Sequence, residues 1–306
     1  GVVYEALDHE TGEKVALKTL RNVDGTAILL LKQEFRALAG LHHPNLIRLG
    51  ELHESRGDWF FTMELLDGLH LMSWLRKGSG DRLRDSFAQL VTGLGVLHDA
   101  GHVQRDIKPS NVIVVEGRVV LRDFGRGTRH DHDPLSWSDG SMVGTPDYMA
   151  PEQASAQPAG PEADFYSVGV MLYEALTAQL PIEGHALEVM MEKQRFVPPP
   201  PSTLMPNVPA DLDELCCELL RVGPAERPTR AAILKRLAAR GPKSARESAP
   251  VTPPIARQSF VGREPELEIL REALTECDTG AAVTLLIEAE SGMGKSALAE
   301  HFLSGL

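Results

Sequence analysis

The chain has 306 residues and a formal net charge of −12, from 31 Lys and Arg against 43 Asp and Glu, which disfavours nonspecific binding to nucleic acid or an anionic membrane. With 42% hydrophobic and 24% charged residues it has the composition of a soluble globular protein long enough for two or more domains, and no apolar run approaches the ~20 residues that span a bilayer. Three cysteines (Cys216, Cys217 and Cys277) without CxxC or Cys/His ligand spacing point away from a disulfide framework or a zinc site and toward a reducing, cytoplasmic setting. No signal peptide is visible and no methionine opens the chain, so both ends are expected to be internal to a longer protein.

Gly1 to Ala6 reads as a strand, Asp8 to Glu13 as a turn, and Lys14 to Lys18 as a returning strand. Ala27 to Leu41 has helical period, with Ile28, Leu31, Phe35 and Leu38 on one face and Glu34 beside it. Alone, Glu34 reads as a surface residue of an amphipathic helix. His42-His43-Pro44-Asn45 breaks the helix, and Leu46–Leu52 and Trp59–Met63 follow as strands. Beyond Gly68 the composition turns helical: Arg82 to Ala100 is a helix closed by Ala-Gly, Val112–Val115 and Val119–Leu121 form a hairpin, and Asp164–Gln179, Asp211–Arg221 and Thr229–Arg240 are further helices. The polar segment 126–143 has no regular pattern, and a segment of that length inside a domain is usually functional. Its His130-Asp131-His132-Asp133 run is read as a solvated loop in preference to a metal cluster.

Between the long helix and the hairpin lies Gln104-Arg105-Asp106-Ile107-Lys108-Pro109-Ser110-Asn111, and twelve residues after Asn111 comes Asp123-Phe124-Gly125. A carboxylate to take a hydroxyl proton, an ammonium two residues on, and an amide and a second carboxylate as hard oxygen ligands suit phosphoryl transfer with magnesium. An isolated Asp-x-Lys would be an ordinary solvated turn. The order of the pieces carries the argument: Val15-Ala16-Leu17-Lys18, Glu34, His43-Pro44-Asn45, the 105–111 turn, Asp-Phe-Gly, Ala150-Pro151-Glu152 and Arg227-Pro228.

With these motifs, residues 1–240 resemble a protein kinase, specifically the bacterial Ser/Thr kinases of eukaryotic (Hanks) type. The resemblance implies an α+β, two-lobed fold: an N-lobe (1–64) of a five-stranded sheet and one helix, and a helical C-lobe (69–240). It implies ATP and Mg²⁺ as cofactors. Lys18 would hold the α- and β-phosphates and pair with Glu34. Val3, Ala16 and Ile113 would sandwich the adenine, Met63 would be the gatekeeper, and the Glu64 carbonyl and Leu66 amide would bond the adenine edge. Asp106 would orient the acceptor hydroxyl, Lys108 would neutralise the moving phosphate, and Thr145 would line the hydroxyl. Asn111 and Asp123 would bind the metal. Asp164 would anchor the 104–106 backbone, and Glu152 would pair with Arg227. Arg105 would read a phosphate on the 126–143 segment, with Ser138 or Ser141 as the expected phosphosite among Thr128, Ser136, Ser138 and Ser141. Protein Ser/Thr side chains, with its own as candidates, are the implied substrates.

The sequence departs from the family at two places. Gln104 stands where His or Tyr is usual under the Asp-Phe-Gly phenylalanine, which is expected to give a looser active state with the chemistry retained. Gly1 aligns with the last glycine of the Gly-rich loop, so that loop is incomplete. Further on, Gly241 to Ser259 reads as a flexible linker. Phe260-Val261-Gly262-Arg263-Glu264, a helix striped by Leu267, Leu270 and Leu274, a strand at Val283–Ile287 and Ser291-Gly292-Met293-Gly294-Lys295-Ser296 resemble the start of an AAA/STAND-type P-loop ATPase. Gly292, Gly294 and Lys295 would cradle phosphates there and Ser296 a second Mg²⁺, although Ala289 stands where the first glycine is usual. One βα piece in 260–306 is expected to be loosely held and not an ATPase by itself. Two rival readings remain: a pseudokinase scaffold, with Gln104 as its symptom, and a sensor module serving the NTPase as the main activity.

Overall fold

The computed structural model of the chain describes residues 2–9, 11–19, 25–55, 58–76, 80–123, 137–138, 141–142 and 146–239, with 268–270, 273 and 302 beyond them. The chain divides into two units, Gly1–Lys243 and Ser244–Leu306. In the second unit the few described positions are helical, and the expected linker, strand and phosphate loop lie outside the described residues.

The upper lobe of the first unit is a sheet of order β1-β2-β4-β3 with one helix against it. Strands β1 (Val2–Leu7) and β2 (Lys14–Thr19) form a hairpin. Its turn closes through the Asp8 amide on the Glu13 carbonyl (2.9 Å), and Gly12 takes φ +73°, a conformation glycine adopts without steric cost. Strands β3 (Leu49–Ser55) and β4 (Asp58–Glu64) complete the sheet, with Ala16 opposite Met63 and Lys18 opposite Phe61. Because side chains alternate, Ala16 and Lys18 share one face with their partners. Helix α1 (Gly25–Leu38) packs Leu31 and Phe35 there, and the Phe35 and Phe61 rings lie 5.8 Å apart. The upper-lobe sheet has four strands among the described residues, against the five implied by the resemblance.

The expected strand from Leu46 begins only at Leu49. Residues 45–47 pair instead with the lower lobe: the Ile47 amide bonds the Leu121 carbonyl and the Leu121 amide the Asn45 carbonyl, both at 2.9 Å. The buried Asn45 side chain adds bonds to Gln89 (3.0 Å) and the Val119 carbonyl (2.7 Å). These nonlocal bonds satisfy the backbone of the helix-to-strand loop and fix the upper lobe to the lower.

The lower lobe opens with β5 (Leu69–His70), α2 (Leu71–Leu75) and α3 (Gly80–Asp99), and Gly101 at φ +80° ends the last of these. The hairpin β6 (Val112–Val115) and β7 (Arg118–Leu121) joins β5 in a small sheet, and two-residue strands β8 (Trp137–Ser138) and β9 (Ser141–Met142) pair with each other. Helices α4 (Pro151–Ala154), α5 (Pro161–Thr177), α6 (Ala186–Glu192), α7 (Ala210–Leu219) and α8 (Arg230–Ala238) follow.

Helix α5 is the axis of this lobe. Pro161 suits its first position and Ala178, at φ 60°, ends it. Every residue from Ala163 to Tyr173 is buried, as expected of a helix that is apolar nearly all round. Gly169 lets α7 come close, since a Cβ there would stand 2.7 Å from the Leu219 Cβ. A second tie crosses this core: the Arg227 guanidinium, wholly buried, forks onto Glu152 at 2.6 and 2.7 Å. No helix of the described residues is long and apolar enough to cross a membrane.

Candidate active site

Three segments converge in the first unit: the 104–111 turn between α3 and β6, Asp123 just after β7, and Lys18 of β2. The turn is held from below by Asp164, which is fully buried at 0% exposure near the start of α5. One carboxylate oxygen accepts from the Arg105 amide (2.7 Å), and the other accepts from the Gln104 amide (2.9 Å) and meets His98 Nε2 (2.8 Å). A buried carboxylate is tolerable only when it is paired or hydrogen-bonded in this way. The anchor also accounts for backbone geometry: Arg105 sits at φ 59° and Asp123 at φ 60°, left-handed conformations that cost on the order of 1 kcal/mol or more and persist only where surrounding contacts over-determine them. At Asp123 the determining contact is the buried Gln104 side chain, whose Nε2 donates to the Asp123 carbonyl. Gln104 thus bonds the backbone of the Asp-Phe-Gly segment, while Phe124 and its packing lie outside the described residues.

Within the turn, the Lys108 ammonium stands 3.0 Å from both oxygens of the Asp106 carboxylate. Asn111 donates from Nδ2 to the Asp106 carbonyl (2.8 Å) and to its Oδ2 (3.1 Å). With Nδ2 engaged on Asp106, the amide oxygen of Asn111 turns to the other side, and that oxygen is the atom able to ligate a hard cation. The 3₁₀ turn Pro109–Asn111 leads straight into β6, so Asn111 is placed by the hairpin and not by a loop.

Across the cleft, Lys18 Nζ meets Asp123 Oδ1 at 2.8 Å. Burial alone would raise the Asp123 carboxyl. The charge and hydrogen bond of Lys18, then the charges of Arg122 and Lys108, outweigh it and hold the group below its ordinary range. Asp123 is thus a carboxylate at neutral pH, paired with Lys18 and drawn also by the charge of Lys108, and with the Asn111 amide oxygen it makes up the expected donor set. That donor set fits magnesium, which takes one or two protein oxygens and completes its shell with water and phosphate.

The other expected site residues are distributed as follows. Val3, Ala16 and Met63 stand on the same sheet face as Lys18, with Ala16 and Met63 buried and Val3 46% exposed. Ile113, also buried, lies on β6 two residues after Asn111. Glu64 ends β4; its carboxylate accepts from the Arg48 amide (2.9 Å) and pairs with Arg118 (2.8 Å), and its own amide donates to the Arg48 carbonyl (2.9 Å). Leu66 is partly buried in the following connection. Glu34 falls within α1, but its side chain lies outside the described residues, as do Thr145, Gly292, Gly294, Lys295 and Ser296. Ser138 and Ser141 are opposite each other in β8 and β9, and their side chains too are outside the description. Arg105 donates to the Ala159 carbonyl at 3.2 Å.

Two contributors escaped the sequence reading. His98 shares Asp164 with the turn. Gln153 links the turn to the Ala-Pro-Glu segment, donating to the Arg105 carbonyl (2.9 Å) and accepting from the Ala150 amide (3.2 Å). A histidine ending an amphipathic helix and a glutamine after a motif carry no signal of their own, since both partners are distant in sequence.

A two-lobed molecule with this cleft fits the kinase fold, and comparison with known proteins agrees. The protein kinase domain family matches residues 1–237. The chain is 35% identical over 239 residues to serine/threonine-protein kinase PknA of Mycobacterium tuberculosis, covering 74% of this chain and 55% of that one. It is 30% identical over 223 residues to the probable serine/threonine-protein kinase PknB of Lactococcus lactis (70% and 35%), and 30% over 291 residues to serine/threonine-protein kinase pkn3 of Myxococcus xanthus (85% and 52%). The chain belongs to the protein kinase family. It spans about half the length, or less, of these relatives.

Proposed function

We propose that this protein is an Mg·ATP-dependent protein serine/threonine kinase. The observation that carries the reading is the cluster at the cleft: Asp106 bracketed by Lys108 and Asn111, facing an ionised Asp123 that is paired with Lys18. The names of the relatives support Ser/Thr as the acceptor type, and so does Lys108, two residues after the Asp.

ATP and Mg²⁺ supply the transferable phosphoryl group and the divalent charge that neutralises it. Asp106 orients the acceptor hydroxyl and takes its proton as the oxygen attacks. Lys108, already on that carboxylate, offsets the charge of the moving phosphoryl group. Asn111 and Asp123 give the cation its protein oxygens. Lys18, with Glu34 expected behind it, holds the α- and β-phosphates, and Thr145 lines the hydroxyl. Val3, Ala16, Met63, Glu64, Leu66 and Ile113 form the adenine pocket. Catalysis of this kind is mostly positioning and charge stabilisation, so the rigidity of the 104–111 turn is central to it.

In this reading residues 1–240 are the kinase domain of a multidomain signalling regulator at work in the cytoplasm. Residues 241–259 are a linker, and 260–306 begin a P-loop NTPase of AAA/STAND type; the Ser291–Ser296 motif supports that last assignment. Incubation of the chain with γ-labelled ATP, Mg²⁺ and histone should label the histone, and acid hydrolysis should release phosphoserine or phosphothreonine. Label recovered only as phosphotyrosine, or no label transferred at all, would overturn the reading.

A further inference from the structure

On the upper lobe the Lys32 ammonium of α1 stands 3.5 Å from the centre of the Trp59 ring of β4, well inside the ~6 Å at which a cation is drawn to an aromatic face. Both side chains are half-buried, and Trp59 packs against the core. Trp59 comes two residues before Phe61, so the two rings project from one face of the sheet. Phe61 lies opposite Lys18 on that face, and the Lys18 ammonium is 6.0 Å from the Phe61 ring. The side of the sheet that presents the expected phosphate-binding lysine is thus the side on which Lys32 is seated.

Among the described side chains of α1 only Leu31 and Phe35 are buried. They stand about one turn apart, and apolar contact is non-directional, so two such contacts in line along a helix leave it free to roll about that line. At ~100° per residue, Lys32 and Glu34 lie about 80° to either side of the line through Leu31 and Phe35. A contact that fixes Lys32 on one flank therefore sets the angle at which Glu34 is presented on the other. Trp59 is a firm seat for it, because β4 is paired on both sides, with β2 and with β3.

We propose that Lys32 and Trp59 form a latch on α1: the ammonium seated on the ring fixes the roll of the helix and so holds Glu34 toward Lys18. Both are positioning residues that act through Glu34. The inference rests on the kinase reading above, in which Glu34 pairs with Lys18. A surface pair that served stability alone would lower Tm when broken and leave the rate of transfer unchanged in the folded protein.

The test is a double-mutant cycle in the full 306-residue chain, read as kcat for phosphate transfer to histone with ATP, Mg²⁺ and histone at saturation. Lys32→Gln keeps a good helix former and removes the charge. It should lower kcat on the order of fivefold and leave the histone KM at its parental value. Lys32→Arg, which keeps a cation for the ring, should keep the parental kcat. In a Glu34→Gln background, itself slower than the parent, Lys32→Gln should have no further effect, because the latch acts only through Glu34. Trp59→Leu should slow transfer as Lys32→Gln does, and if it does not fold the Lys32 variants decide alone. A parent that labels histone while Lys32→Gln keeps its kcat overturns the inference and leaves the kinase reading standing, and so does a loss of the same size in the Glu34→Gln background. A parent that labels no acceptor overturns both.

Discussion

Asp123→Asn should lower kcat for phosphate transfer roughly a thousandfold, with the fold intact. The replacement is nearly isosteric and keeps the backbone carbonyl that Gln104 holds. What it removes is the negative charge. In the parent that charge meets Lys18 at 2.8 Å and is the one carboxylate among the proposed metal ligands, Asn111 being neutral. A bound cation contributes several kcal/mol of transition-state charge stabilisation, and about 4 kcal/mol is a factor of roughly a thousand in rate. The loss should be paired with a marked rise in the Mg²⁺ concentration needed for half-maximal rate. The pH dependence has a definite sign. The Asp123 carboxyl is held below its ordinary value of 3.8, chiefly because Lys18 overcomes the effect of burial. Its contribution to stability is therefore complete above that value and is lost as pH falls through the lower folded one. In acid titrations followed by near-UV circular dichroism, the Asn variant should lack that lowest transition. An Asn variant with parental kcat and Mg²⁺ dependence would remove Asp123 from the site.

Arg227→Ala should be the most damaging change away from the cleft, costing about 3–5 kcal/mol of folding free energy. Arg227 is wholly buried, and it serves five acceptors: both oxygens of Glu152 and the carbonyls of Arg221, Val222 and Glu162. Its guanidinium also lies 5.0 Å from the Tyr166 ring. Truncation strands a buried carboxylate and three carbonyls at once. For a domain of this size each kcal/mol moves Tm by roughly 2–4 °C, so thermal unfolding should fall by about 10 °C. A double replacement with Met at 152 and 227 should recover part of the loss, since it leaves no uncompensated charge. A single Ala variant that unfolds at the parental temperature would show that the pair carries no such weight.

These two residues show how much of the molecule could be read in the chain. Asp123 and Arg227 stood out because each sits in a short motif whose chemistry needs that residue type, and the structure gives Arg227 its expected partner. Helix α5 was legible from its strongly apolar run, although it starts three residues earlier, at the Gly160–Pro161 cap, and is buried all round from Ala163 to Tyr173 where one buried side was expected. What could not be read was set by distant contacts. The 45–47 backbone looks like a strand and pairs with Leu121, seventy and more residues on. Helix α6 has seven residues, with Leu187 and Met191 exposed and Val189 and Met190 buried, too short a stretch for a period to declare itself. Lys193, buried after α6, carries no motif, and its partners are the carbonyls of Asp147 and Met149, 46 and 44 positions back. His98 and Gln153 act through residues 66 and 48 positions away.

The central claim is that the 104–111 turn transfers phosphate, and Asp106→Asn tests it most directly. The amide keeps the size of the side chain and can still accept from Lys108, but it cannot take a proton. With histone, Mg²⁺ and ATP at saturation, the Asn variant should bind ATP with parental affinity and transfer phosphate at least a hundredfold more slowly than the parent. Equal transfer by the two proteins, or a parent that binds ATP and transfers no more than the Asn variant, would contradict the account and leave a kinase-shaped scaffold in its place.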